Sequence, residues 1–291
     1  MDYCGGGDLG GACRYIGADD SLRLGEDRVM QKIRMAMVVG VLLVARAEAA
    51  KPFLISGYDD VMRQTESANE ARASGRSTAD AEPYAGMPDL YRALADTSAA
   101  APYAVISGTT TTVYESGVKE FLERTGYPLP QLHLRRALRD FSAEKFKYER
   151  IKEVMTGQIA LQADQKFIFV FDNSNASLDL GEKLLRENAA NVTAIYVRES
   201  LKGNRLANTI PIITAFEVAA HEFAAGRMTK DEVGQVASAI VREQKSTRIV
   251  PDYAYCPFDY DPCGEVRAPL LDICVSVRTK VGGICEARRK R

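Results

Sequence analysis

Short apolar runs alternate with stretches of helical periodicity through the middle of this chain, and no other feature limits the fold as much. The runs fall at 53–56, 103–107, 167–171 and 192–197. Each is followed by polar or glycine-containing residues and then by apolar residues at helical spacing, as at 114–124, 145–155 and 180–188. Strand, helix and strand in succession predict an α/β domain whose mostly parallel sheet is flanked by helices. In such sheets ligands bind beyond the carboxyl ends of the strands, so the residues after each run are where chemistry is expected.

Those residues are polar. The first run leads into Gly57-Tyr58-Asp59-Asp60-Val61, the second ends in Ser107-Gly108-Thr109, and the third leads into Asp172-Asn173-Ser174-Asn175, with Lys147 on the helix before it. Carboxylates, a hydroxyl and a lysine at strand tips suit phosphoryl transfer with a divalent ion. They supply oxygen ligands for Mg²⁺, a donor to phosphate oxygens and a positive charge. Each also has a plainer use: acids cap helices, Ser and Thr fill turns, and most lysines are solvated.

Taken in order, the segments resemble the haloacid dehalogenase superfamily of Mg²⁺-dependent phosphatases. Within it they resemble the phosphatidate phosphatase family named for its actin-patch-associated yeast member. The block from Ser56 to Thr65 is similar to that family's S-D-I-D-D-T-I-x-x-T opening. Gly86 to Tyr91 resembles M-P-E-L-Y, Ile106 to Thr109 resembles L-S-N-S, and Leu132 to Arg135 reads L-H-L-R. Phe146 to Ile151, Phe171 to Ser174 and Ala194 to Arg198 resemble H-K-x-x-x-I, G-D-S-G and A-I-Y-I-R. The resemblance implies a Rossmann-like haloacid dehalogenase fold with a small insertion after the first strand.

It also implies roles. The family's nucleophilic Asp aligns with Gly57, and glycine offers no carboxylate for attack. The acid that protonates the leaving oxygen aligns with Asp59; making Asp59 the nucleophile instead would put Val61 at the acid position and break an ungapped block. Asp60 is taken as part of the same inherited loop. Ser107, Thr109 and Lys147 would hold phosphate, with Ser107 and Lys147 counted beside Asp59 as catalytic. A weakened Mg²⁺ site would rest on Asp59 and Asp172, because the second acid of the last motif is Ser177, with Asp179 a nearby substitute. Tyr58 either covers the site or packs, and His133 is assigned no role.

The two ends of the chain carry a different signal. Lys32 and Arg34 precede an apolar run at 35–45 and then Ala47-Glu48-Ala49, the form of a secretory signal peptide starting at Met30 and releasing a chain that begins near Ala50. The expected organisation is therefore 1–49 as a start called too early plus signal, 50–247 as the phosphatase-like domain and 248–291 as a tail. Export permits disulfides, and Cys256, Cys263, Cys274 and Cys285, separated by six, ten and ten residues, are expected to form two, with three pairings open. Zinc is the weaker reading, since no C-x₂-C pair occurs and neither His133 nor His221 is near in sequence. Residues 66–86, polar and rich in Ala, Ser and Gly, are expected to form a lid or a plain connection, and Thr229 with Glu232 to cap a helix.

With 38 basic and 39 acidic residues the net charge is −1, which argues against a nucleic-acid partner. The expected protein is secreted or periplasmic, of the phosphatidate phosphatase family, and acts on a phosphorylated lipid or small phosphomonoester with impaired turnover. The alternative is an inactive relative that binds a phosphorylated ligand or a partner protein. The basic end Arg288-Arg289-Lys290-Arg291 is read as solvated, peripheral membrane contact being its other use.

Overall fold

All six residues of the strand Phe167–Asp172, FIFVFD, are buried, as a parallel strand covered on both faces must be. A computed structural model describes residues 51–65, 81–95, 102–136, 142–264, 266 and 268–290. The expected signal segment, most of the 66–86 insertion and Arg291 lie outside the described residues.

In chain order the elements are β1 (Phe53–Ser56), α1 (Met87–Leu94), β2 (Tyr103–Thr110), α2 (Thr111–Thr125), β3 (Gln131–Arg135), α3 (Ala143–Leu161) and β4 (Phe167–Asp172). Then follow α4 (Asn175–Asn188), β5 (Val192–Arg198), β6 (Ile210–Ile212), α5 (Ala215–Ala224), α6 (Lys230–Arg242), α7 (Ser246–Ile249) and α8 (Leu271–Arg289). The six strands form one all-parallel sheet in the order β3-β2-β1-β4-β5-β6. This is the Rossmann-like α/β fold expected, and its strand order reverses between β1 and β4.

Alternation along the strands divides the core in two. Phe53, Ile55, Phe167 and Phe169 pack against Ile151, Val154 and Met155 of α3 and Leu180 and Leu184 of α4. On the other face Leu54, Ile168 and Val170 join Leu90, Phe121, Phe216, Val236 and Val277 from α1, α2, α5, α6 and α8. Each large apolar side chain buried in this way contributes on the order of 1.5–3 kcal/mol. The second face also holds a layer of tyrosines: Tyr91 meets Tyr103 and Tyr127 edge-on at 5.3 Å each, and Tyr58 meets Phe121 edge-on at 5.7 Å.

Thr229 and Glu232 form the capping box their spacing predicts, and Thr214 with Glu217 forms a second. The edge strands have a free side, where β3 (QLHLR) tolerates polar residues and the three-residue β6 (IPI) tolerates Pro211. The C-terminal cysteines pair as Cys256–Cys285 and Cys263–Cys274, one ring nested in the other. Between them α8 turns Cys274, Val277, Val281 and Cys285 inward at helical spacing. Among the described residues no helix is long and apolar enough to cross a membrane.

Candidate functional site

Where the strand order reverses, the tips of β1 and β4 diverge and leave a crevice. There, with the end of β2 beside them, they open into a cavity of about 530 Å³. The backbone N–H of Gly57 donates to the Val170 carbonyl at 3.0 Å, so pairing continues one residue past β1 and Gly57 rides on the strand tip. Its backbone is outside the left-handed region, and a Cβ there would meet Val61 Cγ2 at 3.4 Å and the Val170 oxygen at 3.8 Å, ordinary contacts.

The chain then turns tightly through Asp60, which has a left-handed φ of 52°, tolerable for Asp. Asp59 faces the cavity. Arg63, four residues on, donates to its Oδ1 from Nε at 2.9 Å and Nη2 at 2.7 Å, and Ser107 Oγ donates to its Oδ2 at 3.2 Å. The guanidinium is itself buried, lying over the Tyr58 ring at 4.6 Å. Asp60 points the other way, fully buried, and accepts from the Thr65 N–H at 2.9 Å and the Tyr253 hydroxyl at 2.7 Å.

Lys147 reaches the cavity because α3 presses onto β2 at Gly108. A Cβ on Gly108 would stand 3.0 Å from Ala143 Cβ and 3.5 Å from Lys147 Cε, so glycine gives the close approach its room, and a side chain there would press on α3 by a few tenths of an ångström. Lys147 is half-buried and has no hydrogen-bond or ion-pair partner among the described residues.

On the far wall, Asp172 is buried and its Oδ1 accepts from the Ser174 N–H at 2.8 Å, turning β4 into α4. Asn173 fastens the neighbouring loop: its Oδ1 accepts from the N–H groups of Ser200 and Leu201 at 2.9 Å each, and its Nδ2 donates to the Leu201 carbonyl at 2.6 Å. Leu201 is thereby held in the wall. The first turn of α4 lines the cavity through Asn175, Ala176 and Ser177 and carries no acidic side chain. A helix N-terminus without acids favours an anion.

Gly57, Asp59, Ser107 and Asp172 at strand tips and Lys147 on α3 therefore share one cavity. Asp179 does not join them. It is two residues past Ser177 and exposed, because two helical positions turn the side chain about 200° away. The side chain of Thr109 lies outside what is described. Tyr58 packs in the core and also lines the cavity, and His133 lies on β3, where burial and then the Arg150 charge hold its pKa below the usual imidazole value. Arg63 escaped the sequence reading, although its spacing from Asp59 signals an ion pair. For Asn173 and Tyr253 no local signal exists.

The donor set does not fit a Mg²⁺ ion. Two acids remain, both Asp59 oxygens are engaged by Arg63 and Ser107, and Gly57 brings no oxygen from a side chain. Among the described residues no three His, Cys, Asp or Glu side chains gather to hold a metal. The arrangement instead offers a lysine, a hydroxyl and a helix N-terminus to an oxyanion, above an apolar wall of Ile106, Ile151, Phe171 and Leu180.

Residues 53–199 match the family model described as phosphatidate phosphatase APP1, catalytic domain. No curated protein and no solved structure matches the chain.

Proposed function

The chain belongs to the phosphatidate phosphatase APP1 catalytic-domain family, and from that premise we propose that its cavity takes the phosphate group of a lipid phosphate or small phosphomonoester while hydrolysis is impaired. Membership implies a phosphatase-like function on phosphorylated lipid, in a family typically dependent on metal. The finer reading rests on Gly57. A covalent route through an aspartyl phosphate needs a carboxylate at the tip of β1, and glycine has none. Lys147, Ser107 and the start of α4 keep what recognition of a phosphate requires. Asp59 is engaged by Arg63 and Ser107 and has no nucleophile beside it to serve. Export is part of the proposal, supported by two disulfides in the C-terminal region.

The test compares Mg²⁺-supported hydrolysis of phosphatidate and a chromogenic phosphomonoester by the wild-type protein and Gly57→Asp. A Cβ at position 57 meets only ordinary contacts, and circular dichroism of both proteins checks that the variant folds. Wild-type turnover should be slow, and the variant, which adds a third carboxylate, should gain at least about tenfold, a barrier drop of about 1.4 kcal/mol. Brisk wild-type turnover, unchanged in Gly57→Asp and abolished in Asp59→Asn, would overturn the proposal. Phosphate binding without turnover in either protein would favour the purely binding relative.

A further inference from the structure

The segment 250–256 lies outside the matched residues 53–199, yet it touches both lips of the cavity. On one side the Tyr253 hydroxyl donates to Asp60 Oδ1 at 2.7 Å and stands 3.1 Å from the Tyr84 hydroxyl. Asp60 adjoins Asp59, and the Thr65 N–H it accepts closes the turn that carries Arg63. On the other side the Tyr255 N–H donates to the Ser200 carbonyl at 3.1 Å. Ser200 and Leu201 are the residues that Asn173 fastens to the end of β4.

The segment is itself anchored. Arg288 of α8 donates to the Pro251 carbonyl at 2.8 Å and to that of Val250, and Cys256 is bonded to Cys285 on the same helix. Burial, then the neighbouring Tyr84 and Asp60, push the ionisation of Tyr253 far up, so its hydroxyl stays a donor across the physiological range.

We propose that Tyr253 is a positioning residue for the phosphate cavity: its hydroxyl, held in place through the Cys256–Cys285 bond, sets Asp60 and through it the turn bearing Asp59 and Arg63. The same segment steadies Leu201 through the Tyr255 amide. Both lips of the cavity then depend on a disulfide that closes far from them in sequence, and reducing it loosens the grip on a phosphate group. The cavity's ligand comes from the function proposed above; the mechanical claim does not need it.

The experiment uses the full chain in two variants, Tyr253→Phe, which removes one oxygen, and Cys256→Ser with Cys285→Ser. Amide hydrogen exchange is followed without ligand, and inorganic phosphate binding is measured beside it. Losing a hydrogen bond to a buried carboxylate should speed exchange at Met62 and Thr65 by about tenfold in Tyr253→Phe. Ser200 and Leu201 should stay protected in that variant and open only in the double serine variant. The Val233 amide of α6, bonded to the Thr229 carbonyl, should be unmoved in Tyr253→Phe, which a general loss of stability would not allow. Phosphate should bind several-fold more weakly to both variants. Unchanged exchange at Met62 and Thr65, or a rise shared equally with Val233, overturns the proposal. Wild-type protein that binds no phosphate would sink the functional reading, and the exchange pattern would still decide the role of Tyr253.

Discussion

Opening the two C-terminal disulfides should bring this protein close to the edge of stability. The inner bond, Cys263–Cys274, spans a sequence separation of 11, and the outer, Cys256–Cys285, spans 29. In the chain-entropy model the inner ring alone restricts the unfolded ensemble by about 2.8 kcal/mol. With that ring closed, the outer bond has only the remaining chain to constrain and adds about 3.2 kcal/mol. Both together contribute about 6 kcal/mol, against a total stability of roughly 5–15 kcal/mol for a typical domain. Nesting also fixes a rank. The outer bond, present alone, is worth about 3.6 kcal/mol, so deleting the inner costs about 2.4 kcal/mol and deleting the outer more. Urea unfolding of the oxidised protein, of Cys263→Ser with Cys274→Ser, and of Cys256→Ser with Cys285→Ser measures both numbers through the midpoints. A loss below about 1 kcal/mol in both variants, or the reverse rank, would show that the region holds its structure without help from the rings.

Glu222 is fully buried, bonded to Arg227 at 2.5 and 2.8 Å and to the Tyr196 hydroxyl. Burial works to raise its pKa, but hydrogen bonds from Arg227 and Tyr196, with the Arg227 charge, outweigh that and hold it at about 2. Because the folded carboxyl ionises below its ordinary value of 4.5, about 3 kcal/mol of stability is complete above that pH and lost as pH falls toward 2. Acid unfolding should therefore show a shallower dependence between those limits in Glu222→Gln, and identical curves would refute the assignment. For export, N-terminal sequencing of the protein from outside the cytoplasm should begin near Ala50, and recovery of a chain that still carries Cys4 would exclude it.

What could be read in the sequence is what the chain holds within a few residues. The run 167–171 is apolar because both faces of β4 are covered, so burial itself wrote the signal. Gly57, Asp59, Ser107 and Asp172 were legible because strand tips follow strands, and the all-parallel order carries those tips to one crevice. Asp179 misled because sequence proximity to Ser177 says nothing of helical phase. The partners of Asp60 were invisible for another reason. Thr65 is local, but Tyr253 comes from 193 residues away through a turn that no periodicity marks. Edge strand β3 carries polar residues and edge strand β6 is three residues long and broken by Pro211, so neither leaves a run long enough to mark a strand.

The tyrosine layer beneath β1 gives the molecule a built-in optical reporter. The chain has 13 tyrosines and no tryptophan, so tyrosine supplies most of its near-ultraviolet absorbance, beside ten phenylalanines and two disulfides, with no indole to mask it. Tyr58, Tyr84, Tyr91, Tyr103 and Tyr127 are fixed in the core, and fixed packing is what near-ultraviolet circular dichroism detects. Tyr58 sits next to Asp59 and Tyr84 touches Tyr253, so part of that spectrum originates at the floor of the cavity and at its brace. A ligand settling above the β1 tip can thus be followed in unlabelled protein by watching the tyrosine band.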